Sequence, residues 1–136
     1  MLWLVFMDIQ YEAAPDVTAL VDEIKKTINL NHVILNRVIC VRSKGSKSKR
    51  IIARIHGLPR IWQKSLTMPS YYIIEVISEN YDCQDLEEKE KTIIHELLHV
   101  PKGFKGGFRH HKGWITKNKI EKLHTLLIEK RRMNNF

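Results

Sequence analysis

The feature that most restricts the fold of this chain is a helix whose two ends are both marked in the sequence. Residues 85–88, Asp-Leu-Glu-Glu, have the D-x-x-E form of a capping box, which predicts a helix beginning near Leu86. Pro101 cannot continue a helix, so the helix can run for about fourteen residues. Ile93, Ile94, Leu97 and Leu98 place apolar side chains on the face expected to pack on the core.

This helix contains an H-E-x-x-H motif formed by His95, Glu96 and His99. Side chains four residues apart lie on the same helix face, so both imidazoles can bind one metal ion, with zinc favoured. Glu96 lies about 100° round the helix, from where it can act as general base on a metal-activated water. The composition predicts only about 0.03 accidental matches to this pattern, so the motif indicates a metal site.

A catalytic zinc needs a third protein ligand and an open position for water. His110 and His111 are the candidates, because they follow a glycine-containing loop that lets the chain return toward the helix. Neighbouring side chains diverge in an extended segment, so both cannot face the metal, and the spacing leaves the choice open. The other histidines lack this context, and ordinary core or surface roles are expected for His32, His56 and His124.

The rest of the chain alternates between strand and helix signals. A strand over residues 71–77 has the strongest pattern, with aromatic and β-branched residues bounded by Pro69 and Asn80. Further strands are predicted over 1–9, 38–42 and 51–55, the last two pairing across an exposed loop over 43–50. Further helices are predicted from Pro15 to about Ile28, as a short helix or turn around 60–66, and from about Ile115 onward.

Composition indicates one globular domain over residues 1–136. The chain is 43% hydrophobic and 28% charged, which is unlike a disordered or fibrous protein. The apolar run over residues 1–7 is far shorter than the ~20 residues of a membrane span, and no cation precedes it, so we expect no secretory signal and a cytoplasmic location. Cys40 and Cys83 show no C-x-x-C spacing and are expected to be reduced thiols, with one disulfide as the alternative.

The net charge of +8 is unevenly distributed. Residues 42–64 carry eight cations and no carboxylate, and residues 101–136, which end in a short basic tail over 130–136, carry ten cations and two carboxylates. Residues 65–100 are acidic. Such blocks are typical of a polyanionic partner or of solvated faces. The candidate nucleic-acid contacts are Arg42, Lys44, Lys47, Lys49 and Arg50.

Several motifs along the chain, including the segment with the H-E-x-x-H sequence, match the pattern of a known family. They lie at residues 11–16, 37–40, 45–48, 58–63, 72–76, 94–101 and 106–109. Together they resemble a family of predicted archaeal and phage metallopeptidases of the minimal zincin type, over about residues 11–123. The segment 111–114 also looks similar to the third-ligand segment of SprT-like proteases.

This resemblance implies an α+β fold in which a small, mainly antiparallel sheet packs on the H-E-x-x-H helix and flanking helices. It implies one zinc ion per chain, bound by His95, His99 and His111, with His110 in the place of a family proline. It also implies a strand beside the helix whose edge pairs with an extended peptide. We expect that strand to be residues 71–77, with the contacts made by Tyr71, Tyr72, Ile73 and Ile74. The candidate donors for stabilising the oxyanion of the transition state are Arg109 and His110.

The leading hypothesis is therefore a zinc-dependent peptidase acting on a protein or peptide. One alternative is a nucleic-acid-associated protein, either a SprT-like DNA-linked protease or a basic DNA- or RNA-binding module. A second alternative is a metal-binding domain without peptidase activity. A third, a metal-dependent nuclease, is disfavoured because such enzymes generally lack a glutamate between the paired histidines.

Overall fold

A computed structural model of the chain describes residues 8–101 and 115–135. Its first elements are strand β1 (Gln10–Ala13) and helix α1 (Pro15–Thr27). Pro15 begins α1, where its missing N–H costs nothing, and Val17, Val21 and Ile24 form the buried stripe of an amphipathic helix. The expected strand over residues 1–9 falls mostly outside the described residues.

A short 3-10 turn (Leu35–Arg37) leads into strand β2 (Val38–Lys44), which is followed by β3 (Ala53–Gly57) and the one-and-a-half-turn helix α2 (Arg60–Ser65). Strand β4 (Tyr72–Ile77) runs into the single turn α3 (Ser78–Tyr81). The last two elements are α4 (Leu86–Leu98), which carries the H-E-x-x-H motif, and α5 (Lys117–Asn134). The fold is thus α+β, and every predicted helix of the described region is present.

The four strands form one mixed sheet in the order β1-β2-β4-β3. β1 pairs antiparallel with β2, β3 pairs antiparallel with β4, and the central pair β2–β4 is parallel. The expectation that 38–42 and 51–55 pair as a hairpin was wrong, because β4 lies between β2 and β3. The sheet is also more mixed than the mainly antiparallel one expected, since its middle pair is parallel.

The main helices cover one face of the sheet. Side chains from β2 and β4 that face them are buried, including Cys40, Tyr72 and Ile74, whereas Ile39 and Ile73 on the opposite face are 48% and 38% exposed. α1 packs against β2 and against α4, and α4 in turn packs against β3 and α5. The core therefore fixes α4 from three sides, which holds the H-E-x-x-H motif at the border between helix layer and sheet.

Two further predictions concern the oxidation state of the cysteines and the lack of a membrane span. Cys40 is buried and Cys83 is exposed, and both are free thiols, as the reduced interpretation expected. No helix in the described part of the chain is long and apolar enough to cross a membrane.

Candidate metal centre and its groove

The helix that carries the motif is capped as its sequence predicts. The Asp85 side chain accepts a hydrogen bond from the Glu88 backbone N–H, with a distance of 2.9 Å between Oδ1 and N. The acidic first turn, Glu87 and Glu88, also suits the positive end of the helix dipole. The helix ends at Leu98, and the next residue keeps helical dihedral angles, φ −69° and ψ −21°.

Because of that ending, His99 stays on the same face as His95. Their ring centroids lie 5.2 Å apart and the rings are tilted by 59°. Two imidazoles that share one tetrahedral zinc ion have centroids roughly 5 to 6 Å apart, since each nitrogen lies about 2.0–2.1 Å from the metal. Both rings are half-buried, so they are partly open to solvent. The pair therefore fits a shared zinc ion.

Glu96 is the buried carboxylate of the site, with 7% of its surface exposed. Burial raises its pKa to about 7, because the charged carboxylate is removed from water. A buried carboxylate costs stability, and such groups concentrate at functional sites. Its neighbours Leu97 and Leu98 point into the core as expected.

Two histidines are not a complete ligand set for zinc. Within residues 8–101 and 115–135, no group of three His, Cys, Asp or Glu side chains could hold a metal ion. The candidate third ligands His110 and His111, and the candidate oxyanion donor Arg109, lie outside the described residues.

A groove of about 810 Å³ opens beside the motif. His95 and Glu96 line it on the α4 side. The segment 50–53, which enters β3, forms a second wall, and residues 115–117 with the start of α5 form a third. The groove thus joins the candidate metal centre to the edge strand β3.

The backbone of β3 is open along the edge that faces away from β4. The Ile77 N–H donates to the Ile52 carbonyl at 2.9 Å, and the Leu58 N–H donates to the Tyr71 carbonyl at 2.9 Å. In an antiparallel pair, hydrogen-bonded residues alternate with residues whose N–H and C=O point away from the partner. The register therefore directs the backbone groups of Ala53, Ile55 and Gly57 outward, and no described strand lies beyond them.

The strand expected to bind a peptide does not have such an edge. β4 is hydrogen-bonded to β2 on one side and to β3 on the other, so the backbone of residues 72–77 cannot take another strand. Tyr72 and Ile74 are completely buried, and Ile73 projects from the opposite face of the sheet. The expectation placed on Tyr71, Tyr72, Ile73 and Ile74 is corrected accordingly, because the edge strand that packs beside α4 is β3.

The remaining histidines have ordinary partners. His124 is buried with its Nε2 2.9 Å from Glu90 Oε1, and the His56 Nε2 lies 2.8 Å from Glu75 Oε1. The His32 Nε2 lies 3.1 Å from the Leu97 carbonyl, at the end of α4. These contacts agree with the structural roles expected for all three.

The five basic residues over 42–50 separate into two groups. Arg42 binds Asp16 and Asp82, and only 13% of its side chain is exposed, while the Lys44 Nζ lies 3.1 Å from Glu12 Oε1. The other group consists of Lys47, Lys49 and Arg50. These three side chains are exposed and form no ion pair with a described residue. Arg50 also lines the groove.

Sequence reasoning missed the parts of the site that depend on topology. It predicted a strand near Ala53 but gave no indication that this strand is the sheet edge beside α4. The alternation of Arg54 and His56 with apolar residues was a usable signal, because it is typical of a strand with one exposed face. Ile120 lies on the last predicted helix, and its place in the groove wall was not expected.

A comparison with protein-family models matches residues 9–120 to the family described as "Putative phage metallopeptidase". The matched range contains α4, the whole sheet and the groove residues up to Ile120. Neither the comparison with curated proteins nor the comparison with solved structures finds a match.

Proposed function

The chain belongs to the phage metallopeptidase family, and on that premise we propose that it is a zinc-dependent peptidase whose reacting centre is the H-E-x-x-H motif of α4. The observation that carries the proposal is the placement of His95 and His99 on one helix face beside the buried carboxylate of Glu96. All three lie in or directly after α4, which borders the groove and the edge of β3 that no described strand covers.

The ion would be held by His95 and His99, with His111 as the third ligand. The first two are supported by the centroid distance of 5.2 Å, and His111 by the sequence resemblance alone. When bound, zinc would lower the pKa of water and polarise the carbonyl of the scissile peptide bond. Neutral imidazoles and an open fourth position suit zinc better than Mg²⁺ or Ca²⁺, which prefer oxygen ligands.

Glu96 would act as the general base. Its carboxylate would accept the proton of the attacking water and then deliver that proton to the departing amine. Its burial supports this role, because a carboxylate shielded from bulk water keeps a transferred proton in the site. Because Glu96 directly follows His95, a proposed ligand, its carboxylate would lie close to the metal.

The peptide substrate would lie along β3. Its backbone would pair with the outward N–H and C=O groups of Ala53 and Ile55, as an added strand at the sheet edge. Such pairing gives affinity without sequence preference, because it uses main-chain hydrogen bonds alone. It would hold an extended peptide alongside α4, where His95 and Glu96 line the same groove.

The test is a comparison of Glu96→Gln with the wild type. We expect the variant to keep about one zinc ion per chain and to lose at least about 100-fold in the rate of cleavage of fluorescein-labelled casein. Glu87→Gln is the matched control, since Glu87 is an exposed glutamate on the same helix. Full activity in Glu96→Gln, or a wild type that binds no zinc, would contradict the mechanism, and zinc binding without cleavage by the wild type would favour the non-peptidase alternative.

A further inference from the structure

The lining of the groove beside the motif is rich in isoleucine. Four isoleucines contribute to its walls: Ile51, Ile52, Ile115 and Ile120. Ile51 is 41% exposed, although it lies next to a strand, and Ile52 and Ile120 are partly buried. Ile115 is buried, with 6% of its surface exposed. The groove is thus lined by one exposed, two partly buried and one buried isoleucine, a composition that suits an apolar group.

The charges around the groove are also uneven. Lys91 binds Glu87 at 3.0 Å and Glu121 at 3.1 Å, and Glu88 lies 4.0 Å from the same ammonium group. Two of these carboxylates, Glu88 and Glu121, line the groove, and both lie beside the same lysine. Arg50 and Lys117, by contrast, line the groove and form no ion pair with any residue in the described ranges.

The groove extends to one side of the reacting centre. Along α4 its lining runs from His95 and Glu96 back to Glu88. Seven residues of helix span about 10 Å, which equals the length of about three residues of extended peptide. The groove therefore faces the residues that flank the scissile bond on one side.

We propose that this groove sets the substrate preference of the site. It takes an aliphatic side chain within about three residues of the scissile bond, and Arg50 and Lys117 select an acidic residue beside it. The inference rests on the proposed peptidase function for the identity of the ligand. It assigns Ile120 and Lys117 as specificity-determining residues, which neither the motif nor the family match does.

Binding can be measured separately from cleavage in the zinc-loaded Glu96→Gln protein. The probes are fluorescein-labelled decapeptides of Gly and Ser with Leu-Glu, Ser-Glu or Leu-Lys at the centre. We expect the Leu-Glu peptide to bind about tenfold more tightly than Ser-Glu, from burial of the leucine side chain. We expect it to bind roughly threefold more tightly than Leu-Lys, since exposed charge pairs contribute less.

Two variants link the preference to the groove. Ile120→Trp narrows it and should reduce the preference for leucine over serine, whereas Ile120→Ala widens it and should move the preference from leucine to phenylalanine. Lys117→Glu should reverse the preference between Leu-Glu and Leu-Lys. Lys117 lies in the first turn of α5, where a carboxylate suits the helix dipole, so the fold should tolerate the substitution. Lys122→Glu, exposed on the same helix, is the control and should change nothing.

Cleavage of a mixed peptide library by the wild-type protein completes the test. Cut sites rich in an aliphatic residue next to an acidic one support the proposal. Cleavage with no such preference overturns it and leaves the peptidase function standing. Selective binding of Leu-Glu without any cleavage supports the groove but contradicts the peptidase function, and equal binding of all three decapeptides overturns the groove proposal.

Discussion

Arg42 belongs to the basic segment over 42–64, but its partners are carboxylates of the same chain. Its guanidinium forms paired hydrogen bonds with Asp82, at 2.8 and 3.0 Å, and with Asp16, at 2.8 and 3.0 Å. The hydrogen bonds from Arg42 lower the pKa of Asp16. Burial acts to raise the pKa of Asp82, but the bonds from Arg42 and Ser78 outweigh it and the net shift is downward. Arg42 is therefore a structural residue that joins β2 to α1 and to the turn after α3.

We predict that Arg42→Met lowers the free energy of unfolding by about 1 to 2 kcal/mol at pH 7, since both aspartates lose their partner but stay partly solvated. Both aspartates have lowered pKa values in the folded state. Their contribution is therefore complete above their ordinary pKa of about 4 and is lost as the pH falls through the lower folded values.

Urea unfolding at pH 7 and near pH 2.5 measures this effect. The difference between wild type and Arg42→Met should shrink at the lower pH. Lys49→Met removes the same charge from an exposed position and should cost less than about 0.5 kcal/mol at either pH. An equal loss at both pH values would show that the aspartates do not carry the effect.

At this scale the sequence is informative where a residue acts with its near neighbours. His95, Glu96 and His99 were predicted because their geometry follows from the helix period. The partners of His124 and Arg42 were not predicted, because Glu90 and Asp82 lie 34 and 40 residues away in the chain. No local pattern records such a separation.

Among the elements, α4 and α5 are joined by a buried polar cluster. Glu90 of α4 is 2% exposed, and it contacts His124 at 2.9 Å and forms an ion pair with Arg131, both on α5. Arg131 also binds Glu23 of α1. Glu90 thus joins α4 to α5, and Arg131 extends the cluster from α5 to α1, so the three long helices are linked through these two residues.

We predict that Glu90→Gln lowers the free energy of unfolding by about 2 to 3 kcal/mol, because it leaves the partly buried charge of Arg131 without its buried partner. Chemical denaturation followed by circular dichroism measures the loss. Glu129→Gln changes an exposed glutamate of α5 and should be neutral within about 0.5 kcal/mol. Equal stability of the two variants would show that the cluster contributes nothing.

Elements were predictable when their signals were local. The cap at Asp85 and the proline at the start of α1 placed two helices to within a residue or two. The order of strands was not predictable in the same way, because a strand chooses its neighbours through the packing of the whole sheet. Val38–Lys44 and Ala53–Gly57 look like a hairpin along the chain, yet the more apolar β4 takes the central place between them.

For the whole molecule, folding cancels much of the charge asymmetry seen along the chain. Cations of the basic segment 42–64 pair with carboxylates from both neighbouring segments, as Arg42 does with Asp16 and Asp82 and Lys44 does with Glu12. The exposed cations of this segment that form no ion pair with a described residue are Lys47, Lys49, Arg50, Arg60 and Lys64. Of these, Arg50 lines the groove, so part of the surplus charge lies beside the proposed active site.

Binding of the proposed zinc ion should increase the stability of the whole fold. A ligand that binds the folded chain alone stabilises it by about 2.7 kcal/mol when its free concentration is a hundredfold above Kd, which raises the Tm of a domain of this length by several degrees. Zinc should therefore raise Tm and a chelator should remove the increase.

His95→Ala and His99→Ala should each abolish the increase in Tm, while His56→Ala should keep it because His56 binds Glu75 on the sheet. His111→Ala should abolish it and His110→Ala should not. The opposite pattern would move the third ligand to His110. An increase that persists in the His95, His99, His110 and His111 variants alike would place zinc elsewhere in the molecule.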